Sequence, residues 1–216
     1  MPDKISERFR LASAWRLAER LRDQLAASCE RIEVAGSIRR HRSLVSDIEL
    51  VLTPKFGGTP GMLFDNGDSY NLAWARCAQM QKHGTFGKAI RNGEKWRTYP
   101  AKLDDRAIKV DLFACDASAW PVVFAIRTGG AEFSKLCVTQ RGDGGFLPNG
   151  HVVEVGTGQV FAGRVFDRET TPPQIMVPGT VVPMADEAAF VRFCCDQFVE
   201  PENRDAFATN QKGKLK

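Results

Sequence analysis

The sequence lacks any apolar run that approaches the ~20 residues a membrane-spanning helix needs. Its first residues also lack the apolar stretch of a signal peptide, so we expect a cytoplasmic protein without membrane association. The six cysteines include no Cys-x-x-Cys pair, and the three histidines are far apart in the sequence. These gaps argue against a disulfide framework and against a zinc centre built on histidine. We expect reduced cysteines and a monomeric protein.

The charge is modestly positive, with 30 Lys and Arg against 26 Asp and Glu, a formal net charge of +4. The excess is concentrated between residues 76 and 109, a stretch that contains nine basic residues and three acidic ones. A stretch of this kind is either a solvated face or a surface for a polyanion such as nucleic acid, and the composition leaves both interpretations open.

The length of 216 residues suits one large domain or two small ones. Short alternating strands and amphipathic helices predict an α+β protein, in which the character of the chain changes near residues 118–121. We predict a first domain over residues 1–118, a second over 119–207, and a disordered basic tail over 208–216. The predicted elements are strands at 31–35, 47–53 and 108–113, a hairpin turning at 92–93, and helices at about 6–29, 68–82, 131–139 and 186–198.

Three acidic residues lie on predicted interior strands. Asp47 and Glu49 are two apart, so both carboxylates point to the same face, and Asp111 lies on another strand between apolar neighbours. Carboxylates buried without partners are costly, and divalent cations such as Mg²⁺ or Mn²⁺ would neutralise them. The alternative is that each carboxylate sits at a strand end and faces solvent.

A candidate anion site precedes this pair. Gly36 and Ser37 follow the strand at 31–35 and come before a possible helix start, where free backbone N–H groups and the hydroxyl could bind phosphate. Arg40 could bind phosphate oxygens with its guanidinium. The alternative is an ordinary helix N-cap, because Gly-Ser is common there.

The order of these residues resembles the motifs of family X DNA polymerases, the DNA polymerase beta family. Gly36, Ser37, Arg39 and Arg40, followed by Asp47 and Glu49, are similar to the Gly-Ser-x-Arg-Arg and Asp-x-Asp motifs of that family, with the same spacing. The resemblance continues over most of the chain, at 109–112, 128–135, 145–149 and 198–204.

The resemblance implies a nucleotidyltransferase palm with a mixed β-sheet flanked by helices, and a small C-terminal α/β polymerase domain. It implies that Asp47, Glu49 and Asp111 are the catalytic residues and bind two Mg²⁺ or Mn²⁺ ions. The implied nucleotide-binding residues are Gly36, Ser37, Arg40, Thr128, Gly129 and Gly130. The implied activity is transfer of dNMP from a dNTP to the primer 3′-hydroxyl of primer-template or gapped DNA, in short-gap repair.

Several positions depart from the family pattern. Glu49 replaces the usual Asp, and Ala131 and Ser134 stand where some relatives contact the base and minor groove with Asp and Asn. The sequence also has no room for the lyase and helix-hairpin-helix domains of the family, so we expect a minimal form. Weak base contacts favour a second hypothesis, a template-independent transferase that uses dNTP or NTP and acts on a DNA or RNA 3′ end or a protein hydroxyl. A third is a non-catalytic nucleic-acid-binding module.

Overall fold

The computed structural model describes residues 8–58, 70–154, 156–163, 165–167, 174–177 and 179–212. The chain divides into two compact units, Met1–Cys115 and Asp116–Lys216, close to the boundary predicted after residue 118. No helix within the described ranges is long and apolar enough to cross a membrane.

Within residues 8–58 and 70–115, the N-terminal unit alternates short strands with three α-helices. Its strands are β1 (Phe9–Arg10), β2 (Cys29–Val34), β3 (Leu44–Val45), β4 (Asp47–Pro54), β5 (Phe56–Gly57), β6 (Tyr70–Asn71), β7 (Arg91–Asn92), β8 (Trp96–Leu103) and β9 (Arg106–Ala114). Its helices are α1 (Leu11–Ala26), α2 (Gly36–Arg39) and α3 (Leu72–Lys82).

Five of these strands form one mixed sheet in the order β2-β4-β9-β8-β7. The two central strands, β4 and β9, are parallel, whereas the other neighbours in the sheet are antiparallel. Both central strands carry runs of buried Val, Leu and Ile, which suits strands covered on at least one face. The acidic residues Asp47, Glu49 and Asp111 therefore interrupt runs of buried apolar residues on these two strands.

Helix α1 packs on β2 and β4 through one apolar stripe. Its buried residues Ala14, Leu17, Ala18, Leu21 and Leu25 recur at three- to four-residue steps, which places them on one side of the helix. The same hydrophobic core includes Ile48 and Leu50 of β4 and Val110 and Leu112 of β9. Since side chains alternate along a strand, the residues between them point to the other face of the sheet.

The described part of the C-terminal unit combines four α-helices with short antiparallel strands. Its helices are α4 (Trp120–Thr128), α5 (Ala131–Val138), α6 (Glu187–Cys195) and α7 (Arg204–Lys212). Its strands are β10 (His151–Val153), β11 (Val160–Ala162), β12 (Val165–Asp167), β13 (Gln174–Val177) and β14 (Thr180–Val182). Strands β10, β11 and β14 form one sheet, and β12 pairs with β13. Helix α4 packs on α5 and α6, and α5 packs on α7.

The buried side chain of Arg204 ties this unit together. Its guanidinium forms a 2.8 Å ion pair with Glu187 of α6 and donates to the carbonyls of Ala125 at 3.3 Å and Val199 at 3.2 Å. Arg204 is fully buried, so these partners offset the cost of removing its charge from water. Arg204, the last residue of the motif at 198–204, is therefore a structural residue of this unit.

The predicted α+β class, with a mixed sheet flanked by helices, is confirmed. The strands at 47–53 and 108–113 agree with β4 and β9. The predicted hairpin is present, but its turn lies at residues 93–95 and not at 92–93, because Asn92 still pairs with Arg97. The helix predicted at 6–29 is shorter: Phe9–Arg10 pairs with β3 as a strand, α1 spans Leu11–Ala26, and Cys29 begins β2. The tail differs as well: α7 includes residues 208–212, which we expected to be disordered, because Ala208 is fully buried and anchors that helix. Residues 213–216 lie outside the described part of the chain.

Candidate active site

The register between β4 and β9 brings the predicted carboxylates together. Glu49 is the direct partner of Asp111, and Asp47 is the direct partner of Lys109. Partners in a ladder share a face of the sheet, and residues two apart along a strand do the same. All four side chains therefore stand on one face, opposite the face that α1 covers. The sequence prediction that Asp47, Glu49 and Asp111 cluster agrees with this register.

The ammonium of Lys109 lies between two of these carboxylates. Its Nζ is 2.9 Å from Oδ2 of Asp111 and 3.3 Å from Oδ2 of Asp47. Burial alone would lower the pKa of Lys109, but the hydrogen bond and charge of Asp111 and the charge of Asp47 outweigh it, so the pKa is raised. Lys109 is therefore charged at neutral pH and occupies a position from which one cation contacts both aspartates.

The other oxygen of Asp111 is held by strand β8. Thr98, the direct partner of Asp111 across the β8–β9 ladder, donates its hydroxyl to Oδ1 at 2.6 Å. The indole Nε1 of Trp96 donates to the same oxygen at 3.1 Å. The Asp111 side chain is only 4 % exposed. With Oδ1 occupied by two donors, Asp111 presents Oδ2 to the charged face of the site.

The segment after β2 places a glycine directly against Glu49. Gly36 has a positive φ of +64°, and a Cβ at this position would overlap the Glu49 carboxylate, with the Cδ atom only 2.8 Å away. Only glycine fits here without displacing Glu49 or straining the backbone. The amide of Ala35 donates to the carbonyl of Glu49 at 2.8 Å, which fixes the segment to β4.

The hydroxyl of Ser37 is a buried group without a hydrogen-bond partner among the described residues. Buried polar atoms nearly always have partners, so an orphaned hydroxyl calls for an explanation. Ser37 belongs to the single turn α2, which begins at Gly36, and Arg40 is the half-buried residue at the end of that turn. Of the predicted phosphate-binding residues in this segment, Gly36 lies against Glu49, and Ala35 provides the N-cap in place of Ser37.

The remaining predicted nucleotide-binding residues lie in the C-terminal unit, on the turn between α4 and α5. Thr128 is fully buried, and Gly129 follows it as the half-buried C-cap of α4. A Cβ on Gly130 would overlap the carboxylate of Asp205 in α7, with the Cγ atom 2.8 Å away. Both glycines are thus required by close packing within the unit, which is a structural reason for the motif.

The donor chemistry of the β4–β9 face suits a divalent cation. Carboxylate oxygens are the ligands that Mg²⁺ and Mn²⁺ prefer. Among the described residues, however, no three His, Cys, Asp or Glu side chains are arranged as a metal site. Lys109 contacts both Asp47 and Asp111, so a metal ion bound by these two carboxylates would take the place of the Lys109 ammonium.

Three residues of this site were missed by sequence reasoning. Lys109 was counted in a basic stretch and in the motif at 109–112 but was given no role, although its position two residues before Asp111 places it on the same strand face. Thr98 and Trp96 reach Asp111 through the hairpin of β8 and β9, which closes at the two-residue turn of Asp104 and Asp105. A turn of that length sets the register of a hairpin, so this local signal could have placed Thr98 opposite Asp111.

In comparisons with known proteins, no protein-family model and no curated protein matched this sequence.

Proposed function

We propose that this protein is a metal-dependent nucleotidyltransferase that adds dNMP from a dNTP to the 3′-hydroxyl of a DNA primer. The observation that carries the proposal is the shared face of β4 and β9, where the carboxylates of Asp47 and Asp111 both contact the ammonium of Lys109. Glu49 stands on that face against Gly36, and the next residue, Ser37, has a buried hydroxyl without a hydrogen-bond partner among the described residues. Carboxylates for cations and donors for phosphate are the two requirements of nucleotidyl transfer.

In the proposed reaction the acceptor hydroxyl attacks the α-phosphorus of the nucleotide. The new O–P bond forms as the bond to pyrophosphate breaks, and the hydroxyl proton passes to Oδ2 of Asp111. That oxygen is suited to this role because Thr98 and Trp96 already occupy Oδ1 and fix the carboxylate in place.

The phosphates of the nucleotide are bound by the segment after β2. Ser37 supplies a hydroxyl without another partner in the described chain, Arg40 a guanidinium, and Gly36 a backbone that an anion can approach closely. Asp47, Glu49 and Asp111 would hold two Mg²⁺ or Mn²⁺ ions, which lower the pKa of the acceptor hydroxyl and stabilise charge on the leaving pyrophosphate.

Template-directed gap filling is the favoured form of this activity, because the resemblance to family X polymerases extends through the C-terminal motifs. One observation favours the template-independent form. The Ser134 hydroxyl donates to the carbonyl of Ile126 at 2.6 Å, so it is engaged inside the C-terminal unit. A side chain used in this way contributes little to base recognition.

A primer-extension panel tests the proposal, with gapped, recessed and single-stranded DNA, deoxy- and ribonucleotides, and Mg²⁺ or Mn²⁺. We expect incorporation on gapped DNA that follows the template base. Asp111→Asn keeps an oxygen for Thr98 and Trp96 but removes the Oδ2 charge, so we expect activity to fall by at least about 100-fold. Asp105→Asn, at a fully exposed carboxylate in the same unit, is the matched control.

The outcomes separate the alternatives. Incorporation that ignores the template supports the template-independent transferase. DNA binding without nucleotide transfer on any acceptor would leave only a nucleic-acid-binding module. Full activity in Asp111→Asn would show that the carboxylate site is assigned wrongly.

A further inference from the structure

The β7–β8 hairpin carries a stack of flat side chains that begins at Asp111. The indole of Trp96 donates to Oδ1 of Asp111 at 3.1 Å and packs against the ring of Phe113, with 5.3 Å between ring centroids. The guanidinium carbon of Arg91 lies 3.8 Å from the centroid of the Trp96 ring. Arg91 is exposed, so one indole ring separates a solvent-facing guanidinium from the proposed catalytic carboxylate.

This hairpin contacts helix α3 through a hydrogen bond and a cation–π contact, both made by Trp74. The indole nitrogen of Trp74 donates to the carbonyl of Glu94 at 2.9 Å. The guanidinium of Arg97 stacks on the Trp74 ring at 4.5 Å and donates to the carbonyl of Gly93 at 3.2 Å. Arg97 is thus used to hold the turn. A hairpin fixed in this way presents Arg91 in a defined position and loses little conformational entropy when a ligand binds.

The charge of the hairpin suits an anionic ligand. Arg91, Lys95 and Arg97 outnumber the one acidic residue of the segment, Glu94, and Arg91 and Lys95 are both exposed. A guanidinium supported on an aromatic ring offers a flat face to a nucleobase and N–H groups to phosphate oxygens. Stacking on such a platform tolerates any base, because every base has a π-face.

We propose that Arg91, supported by Trp96, binds the acceptor strand as the single-stranded 3′-terminal segment of a DNA chain. This inference rests on the proposed function, in which the terminal hydroxyl lies at Asp111. The nucleotides that precede a hydroxyl at Asp111 must lie against the surface next to that residue. The hairpin is adjacent through Trp96, is positively charged and is held rigid. It therefore meets the requirements of that strand.

Binding of a fluorescein-labelled single-stranded oligonucleotide, followed by anisotropy on the full chain without nucleotide or metal, tests this site. Arg91→Gln removes the charge and keeps the length of the side chain, and Arg20→Gln, at an exposed arginine of α1, is the matched control. We expect Arg91→Gln to weaken binding about five- to tenfold and to reduce the slope of log affinity against log salt by about 0.7. Arg20→Gln should change affinity less than twofold.

Three results would overturn the inference: wild-type protein that does not bind the oligonucleotide, equal affinities for the two variants, or an Arg91→Gln defect confined to binding of a labelled dNTP. The proposed function fails independently of this site. If the wild-type protein binds the oligonucleotide through Arg91 but extends no primer, only the transferase proposal is lost. If it extends primers while Arg91→Gln binds like wild type, only the hairpin site is lost.

Discussion

Replacing Lys109 with methionine removes the ammonium between Asp47 and Asp111 and keeps most of the aliphatic side chain. In the metal-free protein, Asp111 would retain its hydrogen bonds from Thr98 and Trp96 but lose the cation at Oδ2. Because the Asp111 side chain is 4 % exposed, its charge is poorly solvated and depends on such partners. We therefore expect Lys109→Met to destabilise the metal-free protein.

The size of the effect lies between two limits. Removing one partner of a fully buried ion pair costs about 3–5 kcal/mol, and removing one partner of an exposed pair costs about 0–1 kcal/mol. The Lys109 side chain is 45 % exposed, and Asp111 keeps two hydrogen-bond donors, so we expect about 1–2 kcal/mol. For a chain of this size that corresponds to a decrease in Tm of about 2–8 °C.

Thermal unfolding in EDTA and in excess Mn²⁺ measures this effect, and calorimetric titration with Mn²⁺ gives the affinity. Since the ammonium no longer competes for the carboxylates, we expect Mn²⁺ to bind Lys109→Met more tightly and to raise its Tm more than that of wild type. Metal at 100 times its Kd adds about 2.7 kcal/mol of stability. Lys102→Met, at a solvent-exposed pair with Asp105, is the control and should change stability by less than about 0.5 kcal/mol. Equal stability of Lys109→Met and wild type in EDTA, or equal Mn²⁺ affinity, would refute the reasoning.

Three further predictions concern Gly36, Glu49 and the buried thiols of Cys29 and Cys77. Gly36→Ala should lower the free energy of unfolding by about 2–3 kcal/mol, because the alanine would have a positive φ and its Cβ would overlap Glu49. Denaturant unfolding measures this, and a cost below about 1 kcal/mol would contradict the geometry. Glu49→Gln should strengthen the binding of metal-free dNTP, measured by calorimetry. It should also reduce the increase in dNTP affinity that Mg²⁺ provides. An unchanged increase in affinity would count against a site shared by metal and nucleotide. Burial raises the pKa of Cys29 to about 11 and that of Cys77 to about 12, above the ordinary value of 9.0. Their contribution to stability is therefore complete below pH 9 and lost as the pH rises towards 11–12, by about 1.4 kcal/mol per pH unit for each thiol. Denaturant unfolding from pH 8 to 10 checks this. The free energy of unfolding should fall less steeply with pH in Cys29→Ala than in wild type, and an identical fall would refute the assignment.

The sequence predicted the elements of the site better than their contacts. The alternating pattern around Asp47 and Asp111 was enough to predict two interior strands and the face of each carboxylate. The parallel register that sets Glu49 opposite Asp111 depends on residues more than fifty positions apart, so no local pattern contains it. The contacts of Thr98 and Trp96 with Asp111 span only 13 and 15 positions, and the two-residue turn at Asp104 and Asp105 sets their register, so these contacts were accessible to sequence reasoning. The fit between Gly36 and Glu49 could not be predicted, because it depends on the path of the chain after β2.

The placement of Glu49 has a consequence for how nucleotide and cation bind. An anion at Gly36 and Ser37 lies beside the Glu49 carboxylate and close to the two aspartates, and like charges at such distances repel strongly where water is excluded. A cation between the carboxylates and the anion converts this repulsion into attraction. By thermodynamic linkage, each ligand must then raise the affinity for the other by the same factor. Under the proposed function, the face of β4 and β9 would bind a metal–nucleotide complex rather than free nucleotide. In the absence of that complex, Lys109 supplies positive charge between Asp47 and Asp111.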